Sequence, residues 1–136
     1  MKNKKTLTIK FKPLSQIKNE LHSIKNNKKI YIQPNDVILF ESLSGFRNFM
    51  TLQKLELLTL IASHKPKSVY ELAQMINRAV APVQKDCHLL EQTGFIMLEK
   101  QKTGRGALVP KLKFDYDRIV VEIPLYPYQL SFKSVA

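Results

Sequence analysis

The chain has no tryptophan, a single cysteine and only four glycines. One cysteine cannot form an internal disulfide, which suits a reducing compartment. Cys87 with three scattered histidines (His22, His64 and His88) does not complete a structural zinc set. No metal and no cofactor is therefore expected. No apolar run approaches the roughly 18 residues of a membrane-spanning helix. Residues 1–12 are basic but lack the apolar stretch of a signal peptide. A cytoplasmic protein with no membrane role is the expectation. Acidic residues are scarce too: 11 Asp and Glu stand against 22 Lys and Arg, a net charge of +11 in 136 residues. Such a field favours polyanions, among them nucleic acid, an anionic membrane surface or an acidic protein. A hydrophobic share of 44% is enough for an ordinary core, which argues against wholesale disorder.

Catalytic constellations are also missing. Thr103-Gly104-Arg105-Gly106 is too short for a phosphate-cradling loop, and no helix follows it. Asp115 and Asp117 have no His or Glu company and make a poor metal site. His88 has no acid or nucleophile paired with it nearby; it reads as a solvated residue or a phosphate contact. The chain is not expected to be an enzyme.

Charge and pattern divide what is present into three parts, with boundaries at 1–49, 50–114 and 115–136. Residues 1–36 hold nine Lys against Glu20 and Asp36. Within them, Thr6 to Lys12 alternates polar and apolar, as a half-buried strand does, and Pro13 closes it. Leu14, Ile17, Leu21 and Ile24 then form one apolar helix stripe, and Ile30-Tyr31-Ile32 a second short extended piece. This basic segment reads as a strand and helix packed on the body, or else as an arm that tracks DNA. After the apolar run Val37–Phe40, Ser42 caps a short helix carrying Leu43, Phe46 and Phe49.

Thr51 opens the next helix, read with Leu52, Leu55, Leu58 and Ile61 inward and ended before Pro66. Ser68 and Glu71 form an S-x-x-E capping box for a second helix with Val69, Leu72, Ala73 and Ile76 inward. Asn77-Arg78-Ala79 is the turn. A third helix follows with Val80, Val83, Cys87 and Leu90 inward, so Cys87 reads as a buried, inert thiol. Pro82 is tolerable only in its first turn, and Gly94 stops it. Phe95–Glu99 and Ala107–Val109 read as a hairpin, and Arg118–Ile123 as a last strand stopped by Pro124.

Three short helices followed by a two-stranded hairpin make the winged helix-turn-helix order, an α+β fold. Here it carries an N-terminal strand–helix extension and a C-terminal strand. Its third helix can enter a major groove about 12 Å wide. The outward residues of that helix are Ala81, Pro82, Gln84, Lys85 and His88. Gln84 can pair bidentately with adenine, Lys85 and Arg78 can reach phosphate or guanine, and Ala81 permits close approach. Ser68 joins this set at the start of the second helix. The loop offers Lys100, Lys102 and Arg105, with no acid between Gln101 and Pro110.

The stretch from Leu52 to Leu98 resembles the MarR-like bacterial and archaeal predicted transcriptional regulators. Ser68-Val-Tyr-Glu-Leu-Ala73, Val83-x-x-Asp86 and Leu89-Leu-Glu-x-x-Gly94-Phe-Ile96 are similar to a subgroup of small regulators, as is the closing strand Phe114 to Ile123. The likeness covers about half the chain well. It implies a DNA-binding transcriptional regulator, and some members resemble the antitoxin of a toxin–antitoxin pair. Ala79, Ala81 and Pro82 depart from the pattern, standing where polar or basic residues are usual. The expected partners are double-stranded DNA and a second copy of the chain, with a toxin as a possible protein partner. The alternatives are an antitoxin that represses its own operon and an adaptor whose winged helix binds only protein. The apolar tail Leu125 to Phe132 either packs on its own domain or meets a partner.

Overall fold

The computed structural model describes residues 5–12, 35–102, 104 and 106–125. The described residues form an α+β structure of four helices and five strands in two small sheets. They fall into two compact units: Met50–Asp117 with Lys5, and the described residues of 6–49 together with those from Arg118 onward. The N-terminal and C-terminal parts, read separately from sequence as 1–49 and 115–136, thus share one unit. Its backbone hydrogen bonding explains why.

That unit is built on a parallel sheet of order β2-β1-β5, with β1 Thr6–Phe11, β2 Val37–Phe40 and β5 Arg118–Val121. Leu7 pairs with Ile119, and Ile9 lies between Ile38 and Val121. Alternation puts Leu7 and Ile9 on one face, and both are fully buried. Pairing of β1 with the closing strand agrees with the sequence, in which neither segment has an evident hairpin partner nearby. The closing strand stops at Val121, short of Ile123, although Glu122 still donates its N–H to the Ile9 carbonyl at 2.9 Å. Parallel neighbours need a long crossover, and residues 12–36 are long enough to supply it. The helix read at Leu14–Ile24 and the extended piece at Ile30–Ile32 lie outside the described residues.

Helix α1, Leu43–Phe49, begins where the Ser42 hydroxyl accepts the Gly45 N–H at 3.0 Å. Phe46 meets Phe40 edge-on at 5.2 Å and Phe11 at 6.4 Å, while Phe49 lies 5.7 Å from Phe40. Such edge-to-face pairs add to plain area burial, so four half-buried rings hold α1 against the sheet.

The second unit starts with α2, Leu52–His64, whose Thr51 hydroxyl caps the Lys54 N–H at 3.2 Å. Its buried face is Lys54, Leu57, Leu58 and Ile61. Leu52 and Leu55 are exposed, contrary to the stripe read from sequence. A lysine occupies the position where the true stripe begins, which hides the pattern. Lys65 in the left-handed region (φ 46) and buried Pro66 end the helix. Helix α3, Val69–Ile76, buries Val69, Leu72 and Ala73; α4, Val80–Thr93, buries Val83, Cys87 and Leu90. Between them Asn77 takes φ 57, which asparagine tolerates better than most side chains.

Gly94 follows α4 at φ 106, a conformation that a side chain would strain. Strands β3, Ile96–Lys100, and β4, Leu108–Leu112, then pair antiparallel from Ile96↔Leu112 to Lys100↔Leu108. Leu98 stands opposite Pro110 in a pair that exchanges no ladder hydrogen bond, so its N–H is free to donate to Glu91 Oε2 of α4 at 3.1 Å. Below the hairpin, Tyr116 is buried and its hydroxyl donates to the Phe95 carbonyl at 2.9 Å. Burial raises the Tyr116 pKa well above the usual phenol value. No helix among the described residues is long and apolar enough to cross a membrane.

Candidate nucleic-acid interface

Helix α4 divides its residues by the 3.6-residue period. With Val83, Cys87 and Leu90 inside, Ala81, Pro82, Gln84, Lys85 and His88 are all exposed on the other face. Ala79 is the N-cap and gives no side-chain hydrogen bond, so the N–H groups of the first turn have no capping side chain. Pro82 falls within that turn, where its missing N–H costs nothing.

Ser68, at the start of α3, accepts the Glu71 N–H at 3.0 Å. The reciprocal half of the capping box lands one residue earlier than the pattern predicts: Glu71 Oε1 accepts the Lys67 N–H at 2.9 Å. Ser68 therefore acts first as a cap. It also lines a shallow groove of about 480 Å³ with Tyr70, Val80, Gln84 and the hairpin mouth at Gln101, Ala107 and Leu108. Two of the residues expected to face DNA, Ser68 and Gln84, thus come together beside the hairpin. Lys100 and Lys102 are exposed on its strand end and loop; Arg105 lies outside the described residues.

Arg78 does not stand with them. Its Nη2 lies 3.3 Å from Asp86 Oδ2, and Lys54 Nζ lies 4.0 Å from Asp86 Oδ1. The guanidinium is mostly buried, and its Nη1 is buried with no hydrogen-bond partner among the described atoms. A side chain drawn inward by a carboxylate on α4 is poorly placed to reach phosphate. The spacing of eight residues crosses a turn, so no helix-pair rule revealed this contact.

A family model, HVO_A0114, matches residues 49–121, more than half of the chain. The chain belongs to the HVO_A0114 family. The matched region of this HVO_A0114 member takes in all of α2 to β5, so both the helical unit and the closing strand of the sheet fall within it. No curated protein and no solved structure matches it.

Helix α4 also carries a cysteine on its buried face. Burial pushes the Cys87 thiol up to about 12; the neighbouring Asp86 charge adds to the rise, and Arg78 opposes it. At about pH 8 only roughly 10⁻⁴ of such a thiol is ionised, and the thiolate is the reactive form. Native protein is expected to resist a thiol reagent, with labelling limited by opening of α4, whereas protein in denaturant reacts at once. Rapid stoichiometric labelling of the native chain would contradict a buried, inert Cys87.

Proposed function

We propose that residues 50–117 are a winged helix-turn-helix that binds duplex DNA, and that the protein is a transcriptional regulator acting as a homodimer. In this reading α4 enters the major groove and the β3–β4 loop is the wing. The observation that carries it is the exposed face of α4, with Gln84, Lys85 and His88, beside a hairpin whose exposed Lys100 and Lys102 have no acid in the adjoining loop. The resemblance to MarR-like regulators in Ser68–Ala73, Val83–Asp86 and Leu89–Ile96 supports the same reading. A dimer suits it because two half-sites one helical turn apart multiply affinity.

Binding is expected to weaken steeply with salt. Lys85, Lys100, Lys102 and Arg105 neutralising about three or four phosphates per monomer give a log–log slope of about −2.7 to −3.6. Fluorescence anisotropy with a labelled duplex, titrated from low to moderate salt, measures it. A flat response would remove DNA from the proposal. Because Arg78 is held by Asp86, Arg78→Ala leaves the slope unchanged.

Specific readout falls to Gln84, whose amide both donates and accepts. On a preferred site found by selection from a random duplex pool, Gln84→Ala is expected to cost about 1–3 kcal/mol while hardly altering non-specific binding. Replacing Lys100 and Lys102 together with Ala instead weakens all duplexes alike and flattens the slope. Equal losses on preferred and random duplexes in Gln84→Ala would shift specificity to DNA shape or half-site spacing.

A further inference from the structure

A second groove in the 50–117 unit, of about 640 Å³, lies between the end of α2 with its following loop and strand β4. Its walls are apolar: Ile61, Pro66, Val109, Leu112 and Phe114. Three exposed lysines, Lys65, Lys67 and Lys102, line it and form no ion pair among the described residues. Of the other charged residues lining it, Lys111 pairs with Glu99 at 2.9 Å and the exposed Asp115 stands 4.0 Å from Lys5, so cations remain in excess. A concave, partly apolar surface with convergent charges mostly of one sign, in the size range of roughly 300–1,000 Å³, has the form of a small-molecule site.

We infer that this groove binds a small amphipathic organic anion, its apolar body along Val109, Leu112 and Phe114 and its carboxylate or phosphate head among Lys65, Lys67 and Lys102. A nucleic-acid backbone would satisfy the lysines but leave the apolar walls without a partner. A neutral apolar molecule would leave the ammonium groups unmatched. An anion with an apolar tail satisfies both.

Gln101 makes the site consequential. It is the one residue that lines both this groove and the groove holding Gln84. Its side-chain amide donates to the Lys67 carbonyl at 2.8 Å, and its backbone N–H donates to Ala107 across the hairpin loop at 2.8 Å. A head group among Lys67 and Lys102 must therefore touch or displace the residue that ties the loop to the start of α3. An effect on DNA binding rests on the function proposed above; binding of the anion does not.

Calorimetric titration of the full chain with octanoate and octyl phosphate tests the site, with octanol and octylamine as neutral and cationic isosteres. At least one anion is expected to bind at a single site with a dissociation constant on the order of 1 mM or tighter, about tenfold or more below either isostere. Octanoate against octyl phosphate distinguishes the two heads. Lys65→Ala combined with Lys67→Ala, both exposed positions, should bring the anion to the affinity of octanol. Ala62→Trp, an exposed position of α2 lining the groove, should abolish binding. In the unaltered protein, amide shifts on adding the anion should centre on Ala62, Gln101, Val109 and Leu112, so the site is located even if the tryptophan variant does not fold. No saturable binding of either anion, equal binding of octylamine, or shifts centred elsewhere would overturn the proposal. Absence of duplex binding with octanoate still bound would end the DNA reading and leave the groove standing.

Discussion

Removal of residues 1–12 is expected to dissolve the parallel sheet while leaving the helical unit folded. Strand β1 is the middle strand, and β2 and β5 are each hydrogen-bonded to it rather than to one another. Without it both flanking strands lose their only ladder among the described residues. Leu7 and Ile9 are fully buried, and each contributes about 1.5–3 kcal/mol by leaving water. Together with the lost backbone pairing this approaches the whole stability of an ordinary domain, about 5–15 kcal/mol. Hydrogen exchange should show Val37–Phe40 and Arg118–Val121 unprotected in the truncated chain. Amides of α2 to α4 should keep most of their protection, because Val83, Cys87, Leu90 and Phe95 pack within the other unit. Retained protection in β2 and β5 would mean that another segment completes the sheet.

The next largest effect is expected from Asp86→Ala. Lys54 and Arg78 both direct their charge to this carboxylate, and the three side chains are 10%, 21% and 16% exposed for Lys54, Arg78 and Asp86. The intact cluster need not add much stability, since the cost of desolvating three charges offsets their attraction. Removing the anion is different, because the Arg78 guanidinium then loses its carboxylate in a poorly solvated place. A loss of about 3 kcal/mol is expected, the low end for a broken buried pair because some water still reaches the site. For a domain this size each kcal/mol moves the melting temperature by about 4–8 °C, so a fall of more than about 10 °C should be seen. Replacing all three together, with Lys54→Met, Arg78→Met and Asp86→Leu, should recover most of it. A loss under about 1 kcal/mol in Asp86→Ala would show that the cluster is effectively solvated.

The comparison between these two sites shows which kind of information a sequence holds openly. Strand β1 is readable because its period of two is local, and its pairing with β5 follows because neither has an evident hairpin partner nearby, whereas its parallel pairing with β2 has no signal in the sequence. The caps at Ser42, Thr51 and Ser68 and the stop at Gly94 were equally local, each set by a few adjacent residues. The Lys54–Asp86–Arg78 cluster was not readable, since its members lie on separate elements and charge pairing has no period. It also distorts the reading of α2: with a lysine inside, the helical period puts Leu52 and Leu55 inward with Leu58 and Ile61, and only the last two are buried. Arg78 likewise reads as a DNA contact because nothing nearby in sequence claims it. Within the α4 face, exposure follows from the helical period alone. The groove at Lys65, Lys67 and Phe114 joins residues far apart in the chain, so helix-ending lysines gave no hint of it.

The order of the sheet, β2-β1-β5, has a consequence for how the chain is made. Its middle strand leaves the ribosome before the helical unit, and one of its two flanks comes only after Asp117. The helical unit lies between them in sequence and is compact by itself, so it can fold while synthesis continues. Strand β1 must wait through that whole interval with Leu7 and Ile9 exposed and an edge unpaired. Long-range parallel pairing is intrinsically slow, so closure of this sheet should be the last and slowest event.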